Sequence, residues 1–101
     1  MGLQSAISDD GKVVTIKVNG RFDFNAHQAF RDSYRNFNDP AVQYVIDLKD
    51  TEYMDSSALG MLMLLHRHVG ERKNAIRIIN AKPGIRRVLE IARFDKKFEI
   101  G

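Results

Sequence analysis

Apolar and polar residues alternate near the N-terminus in a pattern that predicts an antiparallel hairpin. Residues 12–19 are predicted to form a strand, because Val14, Ile16 and Val18 alternate with polar residues, which is the period of a strand with one face in water. Residues 3–7 form a second, weaker strand pattern. Between the two strands, Asp-Asp-Gly at residues 9–11 favours a tight turn, and we expect Gly20 to end the second strand.

A helix is predicted to follow this hairpin. Asn25 is a suitable N-cap, and the helix is expected to end near Phe37, because Asn-Asp-Pro at residues 38–40 stops a helix. The residues that would form its buried face recur at helical spacing: His27, Phe30, Tyr34 and Phe37.

Two later segments, residues 42–48 and 75–79, are nearly continuous in apolar residues. Such runs are typical of strands that are covered on both faces, as parallel strands are. A loop over residues 49–54 is expected to lead from the first of them into a helix from about Ser56 to Arg72. The buried stripe of that helix would consist of Ala58, Leu62, Leu65 and Val69, widened by Leu59 and Met63.

The last part of the chain predicts a third helix and a short terminal strand. Pro83 suits the first turn of a helix, where its missing N–H costs nothing. Residues 97–100 are expected to form a final strand. The element order is then β-β-α-β-α-β-α-(β), which predicts a single α/β domain over residues 1–101. Its mixed, mainly parallel sheet of four to five strands would pack against three helices.

Composition excludes several classes of protein. The chain has 101 residues, 44% of them hydrophobic and 29% charged, and contains no cysteine, so disulfides, thiol nucleophiles and thiolate metal sites are absent. The longest uncharged apolar stretch, residues 58–65, is much shorter than the roughly 20 residues of a membrane helix. The first residues lack the pattern of a secretory signal. We therefore expect a cytoplasmic domain that does not insert into the membrane.

The net charge of +3 and the isoelectric point near 9.4 raise the question of a nucleic-acid partner. Most of the excess charge lies in the second half of the chain, interleaved with apolar residues. This pattern favours a solvated helix face first, a basic patch for an acidic partner second, and a phosphate-binding groove last. Phe30, Tyr34 and Phe37 are better explained as core residues than as stacking platforms for bases, so we expect no nucleic acid.

Two segments, residues 20–23 and 50–57, follow predicted strands, where functional loops of such sheets usually lie. The second segment runs directly into the helix. Asp55 can cap this helix, and Ser56 and Ser57 occupy its first turn. Capping by itself explains these residue types, and from the residues alone a purely structural role and a functional one both remain open.

The same segments carry a resemblance to a known family. Val-Ile-Asp-Leu at residues 45–48, followed by Tyr-Met-Asp-Ser-Ser-Ala-Leu-Gly at residues 53–60, resembles the signature of the STAS domain. More narrowly, the pattern is similar to that of single-domain anti-sigma factor antagonists of bacteria. Gly-Arg-Phe-Asp at residues 20–23 stands where that family usually has Gly-Glu-Leu-Asp. The resemblance extends through the last strand and helix and implies a STAS-like fold.

The resemblance implies a role for each matching residue. Ser56 corresponds to the serine that a partner kinase, often the anti-sigma factor itself, phosphorylates; Ser57 is the alternative. The implied partners are an anti-sigma factor/serine kinase, sequestered while Ser56 is unphosphorylated, and a serine phosphatase. The implied partner-binding residues are Asp23, Tyr53, Met54, Asp55, Ser56, Ser57 and Leu59. The chain departs from the family pattern at two positions. Ala58 stands in place of glycine, and Arg21 stands in place of glutamate, which reverses a charge on the implied binding face.

Other functions are less well supported by the residues. A serine hydrolase would need a base near Ser56, and the three histidines of the chain lie at 27, 66 and 68, of which the last two face different directions on one helix. We expect no catalytic site, metal or cofactor. A phospho-aspartate receiver centred on Asp47 would need an acidic pair after the first strand; the chain has Asn-Gly-Arg there, so Asp47 is expected to bind loop amides. The remaining alternative is a STAS accessory subunit of another complex, such as a lipid ABC transporter, without sigma-factor control.

Overall fold

The computed structural model describes residues 2–101, apart from the side chain of Lys73, and these residues form seven strands and three α-helices. The strands are β1 (Leu3–Ile7), β2 (Val13–Val18), β3 (Gly20–Phe22), β4 (Gln43–Asp47), β5 (Thr51–Met54), β6 (Ile76–Ile79) and β7 (Glu99–Ile100). The helices are α1 (His27–Asp32), α2 (Ser56–His68) and α3 (Pro83–Ile91), with short 3-10 turns at Phe24–Ala26, Lys73–Ala75 and Phe94–Lys96.

Five of the strands form one mixed sheet in the order β1-β2-β4-β6-β7. β1 is antiparallel to β2, and the other three pairs are parallel. The predicted hairpin, three helices and mainly parallel sheet are therefore confirmed. The hairpin turn is closed by the amide N–H of Ser8, which donates to the carbonyl oxygen of Val13 at 2.9 Å, and Gly11 supplies the positive φ of 71° that the turn requires.

The core lies on one face of this sheet. In the register of β2, β4 and β6, Ile16, Ile46 and Ile78 lie side by side and are fully buried together with residues of all three helices. The next residues along the strands belong to the other face, where Gln43 and Arg77 are exposed. The prediction that residues 42–48 and 75–79 are covered on both faces is therefore wrong, because the described helices pack on one side only.

The first helix also differs from the prediction. Asn25 does not cap it: α1 follows a 3-10 turn, and its N-cap is Ala26, which makes no side-chain capping bond. The capping carboxylate is that of Asp23, which accepts from the amide of Asn25 at 3.0 Å and caps the 3-10 turn. The helix ends at Asp32 instead of near Phe37, and the hydroxyl of Ser33 donates to a backbone carbonyl of the last turn, a bond that competes with helix continuation. Phe30 is buried as predicted, whereas His27 is half-buried.

Two short strands were not predicted. Gly20, which was expected to end the second strand, follows the end of β2 at Val18 and also begins β3. β3 pairs in parallel with β5 in a separate two-stranded sheet. β5 lies within residues 49–54, which were expected to be a loop. Gly20 has a φ of +76°, and this conformation turns the chain out of β2 while its N–H donates to the carbonyl oxygen of Asp50 at 2.8 Å.

The second helix is one turn shorter than predicted. It ends at His68 instead of Arg72, because Gly70 and Glu71 both adopt left-handed conformations, with φ of 74° and 61°. The N–H of Glu71 donates to the carbonyl oxygen of His66 at 2.8 Å, which closes the helix end as a C-terminal glycine motif does.

His66 is a buried titratable residue on α2. Its side chain is 6% exposed, its ring packs edge-on against Phe98 at 5.3 Å, and its Nδ1 has no hydrogen-bond partner within residues 2–101. Burial lowers the pKa of His66 from its usual 6.5; the Glu71 carboxylate acts in the opposite direction, and Lys97 adds to the lowering.

Stability is expected to fall as the pH drops below about 6.5, because the unfolded chain then protonates His66 while the folded protein keeps it neutral. The free energy of unfolding, measured with urea at several pH values, should decline from pH 6.5 towards the lowered pKa of the folded state. His66→Leu should flatten that part of the curve. The control is Gln43→Leu, which removes no ionisable group and should retain the slope. A slope in His66→Leu equal to that of the unmodified protein would contradict this assignment.

Candidate functional site

β3 and β5 bring the two predicted functional segments together. Arg21 lies opposite Tyr53 and Phe22 opposite Met54 in their parallel register. Because the strands run in the same direction, Asp23 and Asp55 emerge from the same end of the small sheet. The two segments therefore form one surface at this end of the molecule.

Both aspartates act as helix caps. Asp23 caps the 3-10 turn before α1, and a carboxylate oxygen of Asp55 accepts from the amide N–H of Ala58 at 3.2 Å. The backbone of Asp55 is extended, with φ of −121° and ψ of −173°, so that α2 begins at Ser56. The capping role that the sequence predicts for Asp55 is thus confirmed, and it determines where the first turn of the helix lies.

The two candidate serines differ in accessibility. Ser56 is the first residue of α2 and is exposed, whereas Ser57 is half-buried. Ser56 is therefore the more accessible of the two serines. It is also the serine for which the resemblance to the family implies phosphorylation.

Arg21 is held by two contacts on this surface. The guanidinium carbon lies 4.0 Å from the centroid of the Tyr53 ring, and Nε lies 3.2 Å from a carboxylate oxygen of Asp23. The ion pair offsets the positive charge, and the cation–π contact holds the ring, which is 41% exposed. The departure from the family pattern at Arg21 thus creates a contact between the two segments instead of a free charge.

The remaining predicted residues occupy different depths. Met54 is buried, at 7% exposure, and supports the surface from below, while Leu59 is half-buried. Phe24, which sequence reasoning did not include, is 69% exposed and stacks on His27 at 5.5 Å. Its position directly after Asp23, in a segment that follows a predicted strand, is a signal in the sequence that could have identified Phe24 as part of this surface.

Two further polar residues hold the base of the site. Thr51 is fully buried, and its hydroxyl donates to the carbonyl oxygen of Val18 at 2.6 Å, which ties β5 to β2. A carboxylate oxygen of Asp47 accepts from the amide of Lys49 at 3.0 Å and from the side-chain amide of Asn80 at 3.1 Å. The prediction that Asp47 binds loop amides is confirmed.

Within residues 2–101, no group of three or more histidine, aspartate or glutamate side chains is placed to hold a metal ion. His66 is directed into the core, and the Nε2 of His68 lies 2.6 Å from the carbonyl oxygen of Phe37. No helix within the described residues is both long enough and apolar enough to cross a bilayer.

Comparison with known proteins identifies the family. The family model described as "Mlab, STAS domain" matches residues 5–100. The chain belongs to the STAS-domain family. It is 44% identical over 100 residues to a STAS-domain containing protein of Pseudomonas aeruginosa (strain UCBPP-PA14), and the match covers 99% of each chain.

Solved structures share the STAS fold with this protein. An anti-sigma factor antagonist from Mycobacterium paratuberculosis has a TM-score of 0.75 at 22% identity, over 97% of this chain and 84% of that one. The anti-sigma factor antagonist SpoIIAA in its unphosphorylated form has a TM-score of 0.70 at 19% identity, over 98% and 86%. Phosphorylated SpoIIAA of Bacillus has a TM-score of 0.74 at 19% identity, over 98% and 90%. At these identities the likeness establishes the fold.

Proposed function

We propose that this STAS domain is a phosphorylation-switched regulator that binds another protein through the surface around Ser56. In this proposal it is an anti-sigma factor antagonist: unphosphorylated, it sequesters an anti-sigma factor that is also a serine kinase. The kinase phosphorylates Ser56 and is released, and a serine phosphatase resets the protein. The observation that carries the proposal is the exposure of Ser56 at the start of α2, next to Asp55 and on the same surface as the exposed Tyr53.

The position of Ser56 favours a switch that acts on the surface and leaves the fold intact. The free N–H groups and the dipole of a helix N-terminus stabilise a negative charge by about 0.3–1 kcal/mol at an exposed site. A phosphate, which brings roughly −1.5 to −2 charges, should therefore not unfold α2. Its effect falls on the partner, which would have to accommodate the added bulk and charge.

The neighbouring carboxylates support the same direction of switching. Asp55 is adjacent to Ser56, and Asp23 leaves the same end of the small sheet. The Asp23 charge is offset by Arg21, at 3.2 Å. A phosphate next to these groups makes the surface strongly acidic, so a partner that fits the neutral hydroxyl would be repelled if it carries its own carboxylates nearby.

A second candidate function has one observation in its favour. The family model that matches residues 5–100 is described as "Mlab, STAS domain" and makes no reference to sigma factors. In this alternative the chain is an accessory subunit of another complex, and Ser56 is a contact residue that is never phosphorylated.

The phosphorylation state of the protein taken from its host distinguishes the two functions. We expect mass spectrometry to find phosphate on Ser56, and a pull-down with Ser56→Ala as bait to capture a serine kinase of the anti-sigma class. An unmodified Ser56 under all growth conditions, with transporter subunits on the bait, would support the accessory role and contradict the switch.

A further inference from the structure

A basic groove lies between the C-terminal half of α2 and residues 31–38, which comprise the end of α1 and the segment that follows it. It has a volume of about 610 Å³, and its lining residues are Arg31, Tyr34, Arg35, Asn38, Leu64, Arg67 and His68. The three arginines are exposed. No part of the switch proposed for Ser56 requires these residues, so the groove is a second surface feature of the same helix.

The positive charge of the groove is only partly neutralised. Arg35 pairs with Asp32, with Nε 3.3 Å from a carboxylate oxygen, whereas Arg31 and Arg67 make no ion pair within residues 2–101. A concave surface lined by charges of one sign concentrates its field and attracts ligands of the opposite sign. Arginine is also the cation best suited to bind carboxylates through two parallel hydrogen bonds.

The apolar part of the groove favours a protein over a nucleic acid. Leu64 is 44% exposed, an apolar anchor among the arginines. The aromatic rings that line the groove are engaged in contacts within the protein. Tyr34 is buried and packs against His68 at 4.9 Å, and His68 contacts the carbonyl of Phe37. Base stacking needs a free aromatic face, whereas an apolar side chain of a peptide needs only a contact with leucine.

The groove continues the surface that begins at Ser56. Along α2, exposed residues recur at helical spacing: Ser56, Gly60, Leu64 and Arg67. At about 1.5 Å per residue, Ser56 and Arg67 lie roughly 16 Å apart along the helix axis. One helix of the partner that lies along α2 could therefore contact both ends of this face.

We propose that the groove binds an acidic helical segment of the protein partner, with carboxylates on Arg31 and Arg67 and an apolar side chain on Leu64. The identity of the partner rests on the proposed function, whereas the preference of the groove for an acidic segment rests only on the residues that line it. In this proposal, the positive charge of the chain favours an acidic partner and attracts it to the surface of α2.

The test uses the full chain and a synthetic helical peptide of about 20 residues, roughly 30 Å long, with glutamates on its polar face and leucines on the other. A matched peptide carries lysine in place of each glutamate. We expect the acidic peptide to shift the NMR signals of Leu64 and Arg67, and its affinity to fall steeply with salt. Arg67→Glu should weaken its binding about tenfold, while Arg87→Glu, the same charge change on an exposed residue of α3 outside the groove, should not.

Several results would overturn the proposal. One such result is that Arg67→Glu and Arg87→Glu bind the acidic peptide with equal affinity. Another is that the unmodified protein does not bind the acidic peptide at peptide concentrations up to about 1 mM. A short single-stranded oligonucleotide that binds more tightly than the peptide and loses affinity in Arg67→Glu would point to a nucleic acid. A dimer that Arg67→Glu dissociates would point to a second copy of the chain. Peptide binding is measured without Ser56 chemistry, so the groove and the switch can fail separately.

Discussion

A phosphate on Ser56 is expected to weaken partner binding by a factor of roughly 30 to several thousand. This range corresponds to the about 2–5 kcal/mol that an uncompensated charge costs in a protein interface. Ser56 is exposed and is the first residue of α2, so the phosphate would add its charge to the proposed contact surface. The measurement is calorimetry of the captured partner against protein carrying phosphoserine at position 56, compared with unmodified protein and Ser56→Ala. Ser56→Ala should bind as tightly as the unmodified protein.

Two further variants separate a switch at Ser56 from a general effect of charge. Gln43→Glu adds one negative charge at an exposed residue of the open sheet face, and its affinity should equal that of the unmodified protein. Ser57→Asp tests the alternative position. If Ser57→Asp loses the partner while protein with phosphoserine at position 56 binds it normally, the switch lies at Ser57. If all forms bind the partner with equal affinity, neither serine is a switch.

Phe22→Ala is expected to reduce the free energy of unfolding by about 3–5 kcal/mol, the usual cost of emptying a buried phenylalanine site. Phe22 is fully buried, and its ring lies 5.3 Å from that of Phe30, so β3 is attached to α1 through this contact. Such a loss is a large share of the stability of a small domain. Urea unfolding monitored by circular dichroism measures it directly.

Phe24→Ala is the matched control for that experiment. Phe24 lies two residues further along, has the same side chain and is 69% exposed, so its removal should change stability by less than about 0.5 kcal/mol. Similar losses in both variants would contradict the described burial of Phe22. The pair also separates two roles: Phe22 holds the small sheet in place, whereas any effect of Phe24→Ala on partner binding would come from the surface itself.

The features that the sequence alone determined are those set by neighbouring residues. The alternation from Val14 to Val18 specifies β2, because the pleat of a strand places successive side chains on opposite faces. The start of α2 was predictable because Asp55 binds an amide only three residues away, so the capping contact is local. The place of Ser56 at the first residue of α2 follows from this cap.

The features that only the tertiary structure decided depend on contacts between distant parts of the chain. β3 and β5 are three and four residues long, too short for a periodic pattern, and each is a strand only because the other pairs with it. The apolar runs in β4 and β6 could not reveal that one face of the sheet stays open, since hydrophobicity does not say on which side the helices pack. The basic groove likewise exists because α1 and α2 lie side by side, which places Arg31 and Arg67, 36 positions apart in the sequence, around one cleft.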